Sequence, residues 1–220
     1  MRCPRCVQKI HQAAISCPHC GFTVEHADEL FGNEDVVISK FSDPAGVLRM
    51  KDRKPMRKLL ARFEKKFPQL FVSVYLGAFE EMTSIRQFGF WFLNRAAFTD
   101  VDVNRPNENG ILILVDVTSK TAGISYGYSL LPYLDDENTF DALSVAHPYL
   151  IQGEFLPAIE RTVGRLETIL KKGWRRVKWN PEKVLSGIGQ SPVKRTKESL
   201  KGVREGNKVA ASQPEKEVSR

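Results

Sequence analysis

The run Gly110-Ile111-Leu112-Ile113-Leu114-Val115 sets the architecture of the chain. It is strand-sized and lacks the apolar–polar alternation of a strand with one wet face, so it reads as a strand covered on both sides. Cover on both sides calls for helices, and the flanking sequence supplies them. Upstream, Met56, Leu59, Leu60 and Phe63 fall at helical spacing. Their helix is expected to open with Asp52 as N-cap and Pro55 in its first turn, and to run to about Lys66. Residues 70–76 read as a strand, and residues 36–41 as a short strand or an extended lead-in. Thr83 is expected to cap a second helix whose Ile85, Phe88, Phe92 and Leu93 face the core. Downstream, residues 116–122 read as a turn and 123–128 as a hairpin partner. Two helices follow near 137–149 and 154–171, separated by Gly153 and ended by Gly173. The order β-α-β-α-β-β-α-α implies an α/β domain, a mixed sheet with helices on both faces.

Ahead of this domain lie two copies of Cys-Pro-x-Cys, at Cys3 and Cys6 and at Cys17 and Cys20, with ten residues between the pairs. A two-residue gap lets one tight turn aim two thiolates at a single ion, and two such turns complete a tetrahedron around zinc. Gly21 follows the second pair, where backbone amides turn toward sulfur. A module this small cannot hold a core, so metal would supply its folding energy. Four thiolates close the shell, which makes the expected Zn2+ structural; His11 and His19 read as surface residues. Ribbons of this kind bind nucleic acid in some proteins and partner proteins in others.

The organisation expected is a zinc ribbon over 1–24, a polar linker over 25–34 carrying Glu25, Asp28, Glu29 and Glu34, the α/β domain over 35–172, and a basic, disordered tail over 173–220. The net charge of +7 over 220 residues is unevenly held. Residues 171–220 contain fourteen Lys/Arg against five Asp/Glu, whereas residues 1–170 contain nineteen against twenty-one. Attraction to nucleic acid or an acidic membrane should therefore follow the tail. Its start, Lys171-Lys-Gly-Trp-Arg-Arg-Val-Lys-Trp179, interleaves cations with Trp174 and Trp179. That pattern suits stacking on bases or anchoring at a membrane surface, and equally two rings packed back on the body. No run approaches the ~20 apolar residues of a membrane helix, and Met-Arg-Cys-Pro has no signal-peptide core. Cysteine pairs without a secretory signal point to a cytoplasmic protein. The cluster Phe88, Phe90, Trp91, Phe92 and Phe98 reads first as core, with a partner groove as the alternative.

Several stretches along the body carry a family resemblance. They are Phe41-Ser-Asp-Pro-Ala-Gly-Val-Leu48, Asn107-Glu-Asn-Gly-Ile-Leu-Ile-Leu-Val115, Ile124-Ser-Tyr-Gly-Tyr-Ser-Leu130, Tyr133-Leu-Asp-Asp136 and Leu150-Ile-Gln-Gly-Glu-Phe155. In order and spacing they resemble the TPM domain, shared by thylakoid-lumen repair proteins, receptor-accessory proteins and many bacterial membrane-anchored proteins. The resemblance implies an α/β/α sandwich. It also implies a site of converging acidic residues near the strand ends, with divalent-cation binding and phosphatase activity in some members. Carried over residue by residue, that site falls on Glu108, where the family has Asp, and on Asp136 with Asp135 beside it, as ligands for Ca2+ or Mg2+. The family's Gly-Tyr-Gly-Leu-Glu-Gly is Gly127-Tyr-Ser-Leu-Leu-Pro132 here, so Leu131 stands where a carboxylate is expected. From the residues alone, Glu108 and Asn109 also suit a turn, and Asp135 and Asp136 a helix N-cap.

These observations favour a non-catalytic module in which ribbon and TPM-like domain dock a protein partner, possible membrane proteins included. The alternatives are a divalent-cation-dependent phosphatase using Glu108, Asp135 and Asp136, and a nucleic-acid-binding protein using ribbon and tail.

Overall fold

A computed structural model describes residues 2–11, 14–79 and 83–179. The chain divides into two units, Met1–Gln190 and Ser191–Arg220, and the second lies wholly outside the described residues. In the first unit the elements run α1 (Val24–Phe31), β1 (Val36–Ile38), β2 (Phe41–Ser42), α2 (Met50–Lys66), β3 (Phe71–Gly77), α3 (Ile85–Arg95) and β4 (Ala96–Phe98). Then come β5 (Gly110–Asp116), β6 (Thr121–Tyr126), α4 (Asp136–Ser144), α5 (His147–Ile151) and α6 (Phe155–Trp179). Short 3-10 turns occupy Asn107–Asn109 and Tyr128–Leu130.

The main sheet has the order β2-β3-β5-β6. Its first three strands are parallel and β6 returns antiparallel, giving the mixed sheet expected. Every residue of β5 is buried, because both faces are covered. On one side Val72, Val74 and Leu76 of β3 align with Ile111, Ile113 and Val115 of β5, under Met56, Leu59, Leu60 and Phe63 of α2 and the apolar stripe of α6. On the other side Phe71, Tyr75, Leu112 and Leu114 meet Trp91, Phe92 and Leu93 of α3. Successive strand residues point to opposite faces, so one strand feeds two cores. Each large apolar side chain removed from water there contributes about 1.5–3 kcal/mol. β1 and β4 pair as a separate two-stranded ribbon.

The structure differs from the sequence-based expectation at several boundaries, each with a local cause. Helix α2 opens after Arg49, so Asp52 lies inside its first turn, accepting from Arg49 Nε at 2.7 Å, and Pro55 lies one turn further in. Ser84, not Thr83, caps α3, its hydroxyl accepting from Gln87 N at 3.4 Å. β6 begins at Thr121, since a short turn already closes after Asp116. Helix 137–149 is two pieces, because Pro148 has no N–H to continue the ladder. Gly173 does not end α6: it is buried against Tyr133, where a Cβ would lie 3.1 Å from the Tyr133 carbonyl, and the helix continues to Trp179. The start of the expected tail, 173–179, is thus helical, and 180–220 lies outside the described residues. The stretch expected as a linker holds α1, which seats Ala27 in the α3-side core. Asp28 of α1 takes a bidentate pair from Arg95, and Trp91 Nε1 donates to Gly32 O at 2.7 Å.

Asp116, at the end of β5, is 6 % exposed. Its carboxylate accepts from Thr118 N at 3.0 Å, from Phe79 N at 3.4 Å and from the Ser119 hydroxyl. Burial works to raise its pKa, but these donors outweigh burial and hold it below the ordinary value. A depressed carboxylate stabilises the fold above its unfolded pKa of about 3.9 and loses that contribution as pH falls toward the folded value. Asp116→Ala is expected to cost about 2–3 kcal/mol in urea unfolding near neutral pH, with the difference from wild type shrinking below about pH 4. Gly127 packs against the Glu108 backbone, where a Cβ would lie 2.1 Å from the carbonyl oxygen. Gly127→Ala should destabilise by about 1–3 kcal/mol, read as a lowered thermal midpoint.

Candidate metal centre and acidic edge

Each cysteine pair sits on the same local fold. Val7 N donates to Cys3 O at 3.0 Å and Gly21 N to Cys17 O at 2.8 Å, so each Cys-Pro-x-Cys turns back on itself over one residue more. That residue has a left-handed backbone in both turns, φ 64° at Val7 and 71° at Gly21. Glycine adopts this freely, whereas a β-branched residue does so only under constraint from its surroundings. Arg5 N points at Cys3 Sγ, 3.4 Å away. The two turns face each other and bring the sulfurs together: Cys3 to Cys20 is 3.7 Å, Cys6 to Cys17 is 3.6 Å, and all four Sγ atoms lie within 4.8 Å of one another. Four thiolates at 2.3 Å from a tetrahedral ion would be about 3.8 Å apart. The donor set therefore fits one metal ion. His11 and His19 are exposed and outside this group.

The thiols perturb one another. Burial pushes Cys3 up to about 12. Cys17 is also opposed by burial, but the amides of His19 and Cys20 and the neighbouring thiols bring it down to about 6. Cys3 and Cys17 are thus pushed in opposite directions within one cluster, and a bound cation would favour the thiolate form of each.

This module is part of the folded unit. Cys3, Cys17 and Phe22 share the α3-side core with Ala27, Trp91 and Phe92. Phe22 meets Phe90 edge-on at 5.9 Å, and Phe31 packs on Phe88 and Trp91. The aromatic cluster is accordingly core, joining the cysteine module to the sheet through α1 and α3.

The three carboxylates singled out from sequence stand at the edge where β5 begins and β6 ends. Asp135 caps α4, its Oδ1 accepting from Asn138 N at 2.8 Å and Asn138 Nδ2 at 2.7 Å. Asp136 forms an ion pair with Arg2 Nε, a residue of the cysteine module. Glu108 is half-buried in the first 3-10 turn, where its main-chain oxygen accepts from the Ser129 hydroxyl; that hydroxyl also reaches Asn109 Oδ1 at 2.6 Å. Burial and the nearby Asp136 and Asp135 push the Tyr126 phenol up, and burial and Glu108 do the same at Tyr128. The residues therefore share an edge. Among the described residues, however, the cysteine quartet is the one group of three or more potential ligands whose donor atoms converge within 4.8 Å.

Two structural carboxylates at the opposite strand ends carry weaker sequence signals. Asp116 is described above. Asp43, directly after β2, has a side chain 1 % exposed and accepts from Val47 N at 3.1 Å, Leu48 N at 3.0 Å and Arg53 Nη2 at 3.2 Å. An Asp closing an apolar strand was the signal for the first; the second is legible only once Arg53 is placed beside it. Trp174 is 63 % exposed, so it does not pack back on the body; the Trp179 side chain is outside those described. Among the described residues, no helix is long and apolar enough to cross a membrane.

No curated protein matches the chain. Solved structures similar to it include two N-terminal domains. One is the N-terminal domain of a Corynebacterium glutamicum protein, with 13 % identity over 59 % of this chain and 78 % of that one and a TM-score of 0.46. The other is the N-terminal domain of a protein from P. gingivalis, with 15 % identity over 70 % and 94 % and a TM-score of 0.47. The family model described as TPM domain matches residues 41–169, more than half of the chain and the whole sheet from β2 to β6 with most of α6. The chain belongs to the TPM domain family, here preceded by a four-cysteine cluster packed onto the same core.

Proposed function

We propose that this protein is a non-catalytic protein-binding module, in which a zinc ribbon and a TPM domain dock a partner in the cytoplasm. Cys3, Cys6, Cys17 and Cys20 would hold Zn2+ as thiolates. Four sulfur ligands leave no open position for water or substrate, so the ion's chemistry is structural. The observation that carries the reading is the fate of the acidic edge. Asp135 is used as a helix cap and Asp136 as an ion-pair partner for Arg2, while the Ser129 hydroxyl ties down the Glu108 main-chain oxygen. An exposed pair such as Arg2–Asp136 is worth only about 0–1 kcal/mol, but it sets a cation of the module against a carboxylate that a divalent ion would need. The ribbon and α1 also present Val7, Ile15 and Leu30 at 42, 88 and 63 % exposure. Apolar side chains left on a rigid, core-anchored module suit a protein partner.

Metal analysis of the purified chain, wild type beside a Glu108→Gln/Asp136→Asn pair, is the direct test. One tightly held zinc per chain is expected in both. No stabilisation by calcium or magnesium and no hydrolysis of an aryl phosphate should appear. A second, exchangeable divalent ion lost in the pair variant, together with metal-dependent turnover, would replace this reading with the phosphatase one. Cys17→Ser should remove the zinc and lower the thermal midpoint, and zinc occupancy of wild type should fall on acidification because protons compete for the thiolates. Ile15→Asp and Leu30→Asp should weaken recovery of a cross-linked partner at unchanged zinc content.

A further inference from the structure

Helix α6 buries Ala158, Ile159, Val163, Leu166, Leu170 and Gly173 along one side. Its last turns show a different face outward. Lys171, Trp174 and Arg175 stand at i, i+3 and i+4, all exposed, with Lys172 exposed beside them. Residues at that spacing are surface neighbours on a helix. We propose that this end of α6 is a docking site for an anionic lipid surface.

The argument is one of charge and shape. Lys171–Trp179 holds five cations in nine residues, and the excess continues to the C-terminus, whereas residues 1–170 are slightly acidic. The positive charge is therefore concentrated where the chain also exposes a tryptophan. A cluster of four to eight Lys/Arg on a helix is attracted to an acidic leaflet, and an indole ring with one apolar body and one N–H settles at headgroup depth. Single-stranded nucleic acid instead favours a basic groove lined by successive stacking rings. The described side chains of α6 offer one exposed ring, Trp174, with Lys171 and Arg175 as its helical neighbours, which fits a flat interface better. An attraction built on surface cations and one interfacial ring is peripheral and reversible.

Co-sedimentation of the full chain with vesicles of phosphatidylcholine alone, and of phosphatidylcholine with phosphatidylserine, tests this. Binding is expected only to the phosphatidylserine vesicles and should be lost as salt is raised. Lys171→Ala/Arg175→Ala should weaken it about thirtyfold, and Trp174→Ala roughly tenfold. Brominated lipid should quench a fluorescence component that the Trp174→Ala variant lacks. All three side chains are exposed, so circular dichroism and thermal midpoint should match wild type in each variant. The proposal is overturned by equal binding to uncharged vesicles, by absence of binding to either, by variants that bind as wild type, or by Trp174-dependent capture of a single-stranded oligonucleotide in place of vesicles.

Discussion

Everything in the folded unit is arranged around a strand that cannot touch water. β5 is buried along all seven residues, and its neighbour β3 buries all but one. A strand in this position must be hydrogen-bonded on both edges and covered on both faces, or its backbone and side chains are left unsatisfied. β3 and β6 meet the first requirement, and α2 with α6 on one side and α3 on the other meet the second. The two cores differ in character. The α2–α6 side is aliphatic with Phe63 at its centre, while the α3 side is aromatic, with Phe71, Tyr75, Phe88, Trp91, Phe92 and Phe98 in successive ring contacts.

That aromatic side gives the cysteine module its place. A cysteine module of twenty residues has no core of its own, yet Cys3 and Cys17 are buried, because Phe22, Ala27 and Phe31 extend the domain's core beneath them. The Arg95–Asp28 pair, the Trp91–Gly32 hydrogen bond and the Arg2–Asp136 pair fix the orientation. Burial of apolar surface supplies the attraction, and the directional polar contacts select one arrangement. The module thereby reaches across to the edge that holds the acidic residues, so the two features singled out as separate in sequence meet in space.

Much of this was legible in the residues. The Cys-Pro-x-Cys repeat declares its chemistry through local spacing, and the apolar run of β5 declares two-sided cover through composition alone. Helical periodicity located α2 and α3 because their buried positions recur at the period of the helix. Signals of this kind are local: they depend on neighbours a few residues away. The boundaries that shifted did so for non-local reasons. Gly173 looks like a helix stop until Tyr133 is seen lying against it, and α1 looks like a polar connector until Arg95 and Trp91 reach it from more than fifty residues away.

The acidic edge shows the same division. The sequence by itself determined that Glu108, Asp135 and Asp136 flank the central hairpin, and that four thiols come in two matched turns. Which groups converge depended on tertiary structure. The cysteine turns fold toward each other on a common core, so four sulfurs meet. The carboxylates are each engaged by their own neighbourhood: Asp135 accepts from an amide of the helix it caps, and Asp136 pairs with a guanidinium from the N-terminal module. Spacing along a chain states which chemistry is available, but convergence requires that backbone and side chains from distant segments be brought to within a few ångströms, and only packing does that.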